Sequence, residues 1–192
     1  MYPKYIKRIL DFSLALVGLI ILSPLLLALA IAIKIDSPGP VLFKQTRVKK
    51  NKATFTMYKL RTMRTDAPKE TPTHLLQNPE AYISRTGRFL RRSSLDEIIQ
   101  LIHIISGAMS IIGPRPALWN QDDLIAERDK YGANDIKPGL TGWAQINGRD
   151  ELPIEVKAKY DGEYAQNITF KMDAKCFIGT IKSVAKREGI TN

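Results

Sequence analysis

The hydrophobic pattern of this chain begins with one long apolar run. Between residues 9 and 33 almost every position is apolar, and the pair Ser23-Pro24 interrupts the run. A straight helix of about 25 residues would be about 37 Å long, enough to cross ~30 Å of hydrocarbon. Pro24 lacks a backbone donor and clashes with the preceding turn, so we predict a kink or break there. Each arm, roughly 14 and 10 residues, is too short to span the membrane alone.

Basic residues flank the apolar run on both sides. They are Lys4, Lys7 and Arg8 before it, and Lys34, Lys44, Arg47, Lys49, Lys50 and Lys52 after it. The positive-inside bias puts both flanks on the cytoplasmic face, and a bent helix that enters and leaves by the same leaflet satisfies both. Ser23 can bind backbone groups freed at Pro24, because unpaired groups are costly in lipid. A simple span with a tolerated proline is the alternative, and the pattern alone does not separate the two. A cleaved signal peptide fits less well, because the run continues past Ala28-Leu29-Ala30.

The rest of the chain has the mixed pattern of a soluble domain. Turn residues at 36–40 end the membrane element, and two short strands, 41–43 and 54–58, are joined by a basic loop as in a hairpin. Helical patterns cover about 95–105, 119–131, 153–166 and 170–188, and 64–81 reads as a surface loop. We therefore predict an α+β, mostly helical protein: a membrane element over 1–35 and a compact cytoplasmic domain over 36–192, forming a single functional unit.

Composition narrows the class of partner. The 192 residues carry a formal net charge of +10, which implies an anionic partner: nucleic acid, lipid headgroups or a phosphorylated small molecule. Nucleic acid does not explain the apolar run, and the chain has no known nucleic-acid-binding motif. The single cysteine, Cys176, excludes an internal disulfide and is interpreted as a packing residue. His103 lies within an apolar helical pattern and is interpreted as a core histidine.

The segment 91–101 carries the candidate chemistry. Ser94-Leu95-Asp96-Glu97 matches the capping box, with Ser94 at the N-cap and Glu97 at N3, and an apolar helix follows. Asp96 and Glu97 would then lie in the first turn, where the macrodipole favours anions. The simplest interpretation is that the two carboxylates only cap a helix, since this pattern is common.

The neighbouring arginines favour a phosphate-handling site instead. Four arginines precede the carboxylates, at positions 85, 88, 91 and 92, and Arg115 lies between Pro114 and Pro116 with few backbone options. A guanidinium presents a planar fork of donors that matches phosphate oxygens. Carboxylates suit either a metal ion or an attack on phosphorus.

Three other stretches are weaker candidates. Lys59 and Arg61 would lie on one face of an extended segment, although a charged pair of this kind is by default a solvated strand face. The glycine-punctuated stretch 137–149 carries Trp143 and Arg149, and glycine there serves either a close approach to a ligand or simple turns. The last helix is basic and amphipathic, so it can rest on an anionic membrane surface or pack on the core.

Seven stretches together resemble the bacterial sugar transferase family, specifically its small monotopic phosphoglycosyl transferases. They are residues 7–11, 23–24, 37–40, 58–63, 91–101, 109–116 and 137–149, which follow the family's order over nearly the whole chain. One such motif would be weak, but seven in register are specific. The chain resembles the minimal form, without the additional N-terminal transmembrane helices of larger relatives.

The resemblance implies a reaction and a set of site residues. A sugar 1-phosphate would pass from a UDP-sugar to polyprenyl (undecaprenyl) phosphate with release of UMP, in the first membrane step of bacterial glycoconjugate biosynthesis. Asp96 would be the nucleophile that forms a covalent phosphosugar intermediate, Glu97 would complete the dyad, and both would bind Mg²⁺. Further contacts to substrate or phosphate are carried over to Lys59, Arg61, Arg91, Arg115, Arg149 and Asp173.

The resemblance also implies a membrane arrangement. The Ser23-Pro24 break would make the apolar helix re-entrant, and the protein monotopic in the bacterial inner membrane, with its site at the anionic cytoplasmic leaflet. The chain departs from the usual family sequence at Ser106 and Ala108, where relatives often carry Lys and Asp. The competing function is a membrane-anchored basic interaction module without catalysis, which leaves Asp96, Glu97 and Arg115 without a task. The sequence does not select the sugar.

Overall fold

The computed structural model describes residues 1–67, 79–148 and 152–186. Its helices are α1 (Lys7–Asp36), α2 (Arg85–Ser93), α3 (Leu101–Ser106), α4 (Asp122–Asp129), α5 (Trp143–Ile146), α6 (Ile154–Gln166) and α7 (Phe170–Lys186). Its strands are β1 (Leu42–Val48), β2 (Thr54–Leu60), β3 (Ser110–Ile112) and β4 (Gly139–Thr141). The predicted α+β, mostly helical class is confirmed for these residues. The expected loop at 64–81 lies mainly outside them.

The predicted β-hairpin is present and longer than expected. Strands β1 and β2 pair antiparallel from Leu42↔Leu60 to Val48↔Thr54. The basic loop between them contains a short 3₁₀ turn in which Asn51 and Lys52 both have φ of 59°. Asn tolerates this left-handed conformation better than most residues, which helps to fix the turn at this point.

A second sheet was not predicted from the sequence. Strands β3 and β4 pair in parallel, with Ser110 opposite Gly139 and Ile112 opposite Thr141. Three residues are too few for an alternating pattern to stand out, and Gly139 has no side chain to contribute to one. A Cβ at Gly139 would collide with the backbone of Gly113, so glycine is required where the two segments approach.

The apolar run forms one continuous helix. The stretch Tyr2–Asp36 is 35 residues long and contains an 18-residue window with a mean hydropathy of 2.9, so it can cross a membrane by length and composition. Helix α1 continues through Pro24, so the helix does not break there, and the alternative that we predicted, a kink at Pro24, stays a prediction. Ser23 Oγ donates a hydrogen bond of 2.8 Å to the carbonyl of Ile20, the acceptor that Pro24 has no N–H to satisfy. The prediction that Ser23 binds a backbone group freed by the proline is thus confirmed, and this bond explains how the helix continues.

Both ends of α1 pack on the rest of the protein, whereas one side of its middle is exposed. Buried residues form one cluster near its start and one near its end: Ala15, Ile104 and Met109 (the Met109 cluster), and Leu29, Ile33, Leu60 and Leu90 (the Leu90 cluster). Between them Ile20, Ile21 and Leu27 are 64–69% exposed. An apolar surface of this kind marks an interaction site, and its composition suits lipid.

A buried polar network fixes the start of α1. Asp173 of α7 accepts hydrogen bonds from Lys7 Nζ (2.7 Å), the Tyr2 hydroxyl (2.7 Å) and the Tyr164 hydroxyl (2.6 Å). Lys7 Nζ also lies 3.8 Å from Asp11 Oδ1. We call these five residues the N-terminal anchor. Buried charges require partners of this kind, because removing an unpaired ion from water costs on the order of several kcal/mol.

Asp11 connects the anchor to the second sheet. Its carboxylate accepts hydrogen bonds from Ser110 Oγ at 2.6 Å and from the Ile111 N–H at 3.1 Å. An acidic residue inside an apolar run is therefore explained by two donors on β3.

The two final helices confirm their predictions within the described residues. In α7, Cys176 is fully buried and packs with Ile112 and Tyr164, as expected of a packing residue.

His103 of α3 is also buried: its Nε2 accepts a hydrogen bond of 3.0 Å from the Tyr58 N–H, and its ring stacks on Tyr58. Burial lowers the pKa of His103, and the bond requires the neutral ring. This is the core histidine that the pattern predicted.

Candidate active site

The two adjacent carboxylates lie in a 3₁₀ turn. Leu95–Gln100 forms this turn, and α3 begins only after it. Ser94 has a left-handed φ of 55° and its side chain makes no capping bond, so the predicted capping box is wrong. Ser94 also ends α2, where its N–H donates to the Arg91 carbonyl at 3.2 Å. A residue that ends one helix in the left-handed region cannot also adopt the extended conformation of an N-cap.

Glu97 forms ion pairs with two cationic side chains from distant parts of the chain. Its Oε1 accepts from Lys59 Nζ at 2.7 Å and from an Arg115 guanidinium nitrogen at 2.8 Å. A second Arg115 nitrogen donates to Oε2 at a longer 3.3 Å. Lys59 comes from β2 and Arg115 from the turn between the two prolines. The side chains of Lys59 and Glu97 are mostly buried, while that of Arg115 is 36% exposed.

The electrostatic balance keeps Glu97 ionised. Burial by itself raises the pKa of Glu97, but the charges and hydrogen bonds of Arg115 and Lys59 together hold it well below its usual range. Burial lowers the pKa of Lys59, and Glu97 opposes that effect. The result is a compact, charge-assisted pair with one carboxylate shared between two cations.

Asp96 is in a different state from its neighbour. Burial raises the pKa of Asp96 and the charge of Glu97 adds to this, against the opposing charges of Lys59, Arg115 and Arg91. Within the parts of the chain that the structure describes, no side chain donates a hydrogen bond to its carboxylate. Asp96 is therefore a half-buried carboxylate next to cations, with its oxygens accessible to a ligand.

The second sheet holds the Arg115 turn in place. The Gly113 N–H donates to the Thr141 carbonyl at 2.8 Å, and the Gly139 N–H donates to the Pro114 carbonyl at 2.8 Å. These bonds hold the turn from both sides. The glycine-punctuated stretch 137–149 indicated in the sequence that a close approach of two backbone segments was possible. Only the structure shows that the second segment is the Arg115 turn.

The four arginines before the dyad separate into two groups. Arg91 is turned inward, and its Nε donates to Thr62 Oγ1 at 3.0 Å while its charge acts on Asp96. Thr62 is a site residue that the sequence analysis did not single out, although it lies within the stretch 58–63. The other three, Arg85, Arg88 and Arg92, are exposed on the outer face of α2. The split follows from the helical period of about 3.6 residues.

Three predicted contact residues lie elsewhere. Arg61 is buried, and its guanidinium donates to the carbonyls of Ser37 and Pro38 at 2.6 and 2.7 Å, where α1 ends. It does not share the Glu97 contact of Lys59, because it follows the last residue of β2. Asp173 belongs to the N-terminal anchor. Arg149 lies outside the described residues.

The dyad lies against the apolar helix. Leu95, which immediately precedes Asp96, packs on the Leu90 cluster, and so does Leu26 of α1. Leu26 is only two residues beyond Pro24. The carboxylates are thus positioned beside the middle of the helix, where its exposed apolar surface lies.

The dyad is the candidate site for a divalent cation. The described residues contain no group of three or more His, Cys, Asp or Glu side chains suited to a metal. The candidate ligands are the two adjacent carboxylates, Asp96 and Glu97. Mg²⁺ is commonly bound by one or two carboxylates together with substrate phosphates and water. The available oxygens of Asp96 and the weakly held Oε2 of Glu97 fit that mode, whereas Glu97 Oε1 already accepts two bonds.

Known proteins are similar to this chain over nearly its whole length. A family described as "Bacterial sugar transferase" matches residues 2–187. The uncharacterized sugar transferase EpsL of Bacillus subtilis is 37% identical over 185 residues, which cover 96% of this chain and 90% of EpsL.

Two relatives with named substrates are larger. The UDP-glucose:undecaprenyl-phosphate glucose-1-phosphate transferase of Escherichia coli is 36% identical over 191 residues, covering 93% of this chain and 40% of the enzyme. The UDP-N-acetylgalactosamine-undecaprenyl-phosphate N-acetylgalactosaminephosphotransferase of Aeromonas hydrophila is 31% identical, covering 94% and 44%. The chain thus spans less than half of the length of these two enzymes. With a family match over nearly all of its length, the chain belongs to the bacterial sugar transferase family.

Proposed function

We propose that this protein transfers a sugar 1-phosphate from a UDP-sugar to undecaprenyl phosphate, with release of UMP, as a membrane step in bacterial exopolysaccharide or related glycoconjugate biosynthesis. The observation that carries the proposal is the pairing of a ligand-accessible carboxylate, Asp96, with cations beside an apolar helix. The names of the two larger relatives supply the substrate class. They differ in the sugar, so the transferred sugar stays undefined.

Asp96 is proposed as the nucleophile. One of its carboxylate oxygens attacks the phosphorus that carries the sugar, the bond from that phosphorus to the bridging oxygen breaks, and UMP leaves. The product is a phosphosugar esterified to Asp96. A phosphate oxygen of the lipid then attacks the same phosphorus and releases the carboxylate. A carboxylate can serve in this way only where nearby cations offset the charge of the phosphates.

Glu97 is proposed to position cations as well as to bind metal. It fixes Lys59 and Arg115 through bonds of 2.7 and 2.8 Å, so that both point toward one location before substrate arrives. The Arg115 side chain is 36% exposed, so a diphosphate that enters the site can reach it. Mg²⁺ held by Asp96 and Glu97 would neutralise the diphosphate and help UMP to leave. Such preorganised charge is worth more in a dry site than in water.

The remaining predicted contacts divide by their surroundings. Arg91, held by Thr62 beside Asp96, is proposed to bind a substrate phosphate. Arg149 keeps the same proposed role by resemblance alone. For Arg61 and Asp173 the contacts support a positioning role instead, since each binds groups at one end of α1.

We also propose that α1 is re-entrant and that the membrane element and the catalytic domain form a single functional unit. A straight helix of 30 residues would carry its two ends about 45 Å apart, on opposite faces of a membrane. Yet Lys7 binds Asp173, and Asp36 accepts a 2.8 Å hydrogen bond from the Thr86 N–H, so both ends contact the same domain. This supports entry and exit through the cytoplasmic leaflet of the cell membrane. The site then lies where the lipid phosphate is presented.

Measurement of UMP release tests the function. Wild type and Asp96→Asn would each be incubated with undecaprenyl phosphate, Mg²⁺ and a panel of UDP-sugars. Release by wild type alone supports the transferase and identifies the sugar. Full activity of Asp96→Asn would overturn the nucleophile assignment. No release with any sugar, from folded and membrane-bound protein, would contradict the proposal and favour the interaction module.

A further inference from the structure

The β-hairpin carries a second cation on the same side as Lys59. The strand register pairs Arg47 of β1 with Phe55, which lies four positions before Lys59 on β2. Because side chains alternate along a strand and paired residues share a face, Arg47 and Lys59 lie on one side of the hairpin. We call this side the inner face of the hairpin. Arg47 is half-buried there, whereas Lys44 and Thr46 on the other side of β1 are exposed.

Arg47 binds the turn that carries Arg115. Its Nη1 donates a hydrogen bond of 2.9 Å to the carbonyl of Pro116, the residue directly after Arg115. The backbone of β1 adds a second contact, because the Val48 N–H donates to the Ala117 carbonyl at 2.9 Å. The second sheet thus holds the residues before Arg115, and the end of β1 holds the residues after it.

Gln45 orients the guanidinium of Arg47. The Oε1 atom of Gln45 accepts hydrogen bonds from Arg47 Nε at 3.1 Å and from Arg47 Nη2 at 2.6 Å. Gln45 lies two residues earlier on the inner face and is also half-buried. A guanidinium is planar and its donors are fixed relative to one another, so two bonds along one edge set the direction of the third donor. That third donor is the Nη1 atom that binds Pro116.

These contacts join the hairpin and the dyad in a closed chain. Lys59 of β2 binds Glu97, Glu97 binds Arg115, and Arg47 of β1 binds the turn that carries Arg115. Burial is the largest cause of the lowered pKa of Lys59, and the charge of Arg47 contributes to the lowering, so Arg47 lies within electrostatic reach of the dyad. The inner face of the hairpin therefore fixes both cations that share Glu97, one directly and one through the turn.

We propose that Arg47, oriented by Gln45, is a positioning residue of the transfer reaction that sets the location of Arg115 beside Glu97 before the donor diphosphate binds. This inference rests on the proposed function. Arg115 meets Glu97 through one bond of 2.8 Å and one of 3.3 Å, so its location depends on the turn as well as on Glu97. Arg47 acts through Arg115 and contacts no phosphate itself. Loss of Arg47 therefore affects the reaction only while Arg115 is present.

A kinetic double-mutant cycle between positions 47 and 115 tests this dependence in the full-length protein. Arg47→Met should lower kcat/KM for UMP release by about 10²-fold, the cost of a misplaced group, and Gln45→Met should lower it less. In the Arg115→Met background, Arg47→Met should cause no further loss. Losses that multiply would overturn the proposal, since a direct phosphate contact or a general folding defect acts in both backgrounds. Lys44→Met removes a positive charge from the exposed side of the same strand and should leave turnover unchanged.

A second measurement detects the position of Arg115 without turnover. In detergent-solubilised protein with isotope-labelled arginine, the Nε–H resonance of Arg115 is assigned by its loss in Arg115→Lys. We expect Arg47→Met to shift or broaden this resonance and Lys44→Met to leave it unchanged. An unchanged resonance in Arg47→Met would overturn the positioning proposal even if turnover fell. Wild type that releases no UMP from any UDP-sugar would contradict the proposed function instead, and the resonance would still report the position of Arg115, so the two proposals fail independently.

Discussion

Two charged clusters of this protein contain similar residues but have different roles. In the N-terminal anchor, Asp173 accepts three hydrogen bonds from fixed donors, and Asp11 accepts two. In the dyad cluster Glu97 is equally well paired, but its neighbour Asp96 has no described donor. A buried carboxylate whose acceptors are all used serves structure. A carboxylate such as Asp96, which lies beside cations but accepts no described hydrogen bond, is partly desolvated without compensation until a ligand binds. Such an arrangement is typical of a reactive site.

The largest expected effect separates the clusters by activity. Asp96→Asn should lower UMP release by on the order of 10⁴-fold or more, as removal of a nucleophile does in other enzymes. Stability should be unchanged or higher, because the amide has no ionisation cost in this half-buried position. The measurement is UMP release together with denaturant unfolding. Asp135→Asn, an exposed carboxylate, is the matched control and should change neither.

The second prediction concerns stability. Asp173→Asn should lower the free energy of unfolding by about 3 kcal/mol, because it leaves the buried charge of Lys7 with only the more distant Asp11, at 3.8 Å. Chemical denaturation in detergent measures the loss, and Asp66→Asn, which breaks an exposed pair with Arg64, should cost no more than about 1 kcal/mol. If Asp173→Asn kept its stability but lost turnover, Asp173 would belong to the substrate site, as the resemblance implied.

The third prediction tests whether Glu97 acts through its cations. Glu97→Gln should lower turnover by about 10² to 10³, the range seen when one preorganised electrostatic group is removed. Lys59→Met should give a similar loss, and the double variant should lose much less than the product of the two. Kinetic double-mutant cycles measure this coupling. Fully multiplicative losses would show that Lys59 and Glu97 act independently, against the geometry of the 2.7 Å bond.

The smallest effect expected is a pH dependence that differs between the two carboxylates. The raised pKa of Asp96 means that turnover falls as pH drops through a value above the ordinary ~3.9 of aspartate. The lowered pKa of Glu97 means that its contribution to stability is present above the ordinary ~4.3 and is lost only as pH falls toward its folded value. Acid should therefore inactivate the enzyme reversibly before it unfolds. UMP release and circular dichroism over the same pH series test this order, and simultaneous loss of both would contradict it.

The sequence predicted those parts of the fold that rest on local patterns. The hairpin, the two last helices and the core position of His103 follow from periodicity, and each is present. The β3–β4 pair was missed because three-residue strands carry almost no period. The capping box was wrong because a local rule cannot register that Ser94 also ends the preceding helix.

The site was predictable in its members and less so in their arrangement. Asp96, Glu97 and Arg115 stand close in sequence, so their meeting is no surprise. Lys59 joins them across 38 positions through a strand whose register no local signal fixes. Arg61, two residues further, binds the end of α1 instead. The alternation of side chains along a strand predicted that Lys59 and Arg61 share one face. It fails here because β2 ends at Leu60, so Arg61 lies outside the strand.

The central claim is that Asp96 carries the sugar phosphate during the reaction. The most direct measurement is the intact mass of the protein after incubation with its UDP-sugar and Mg²⁺ in the absence of undecaprenyl phosphate. We predict a stable mass increase equal to one sugar phosphate, located on Asp96 by peptide mapping, absent from Asp96→Asn and removed when undecaprenyl phosphate is added. Turnover by wild type without any such adduct under rapid quenching, or an adduct on another residue, would contradict the account.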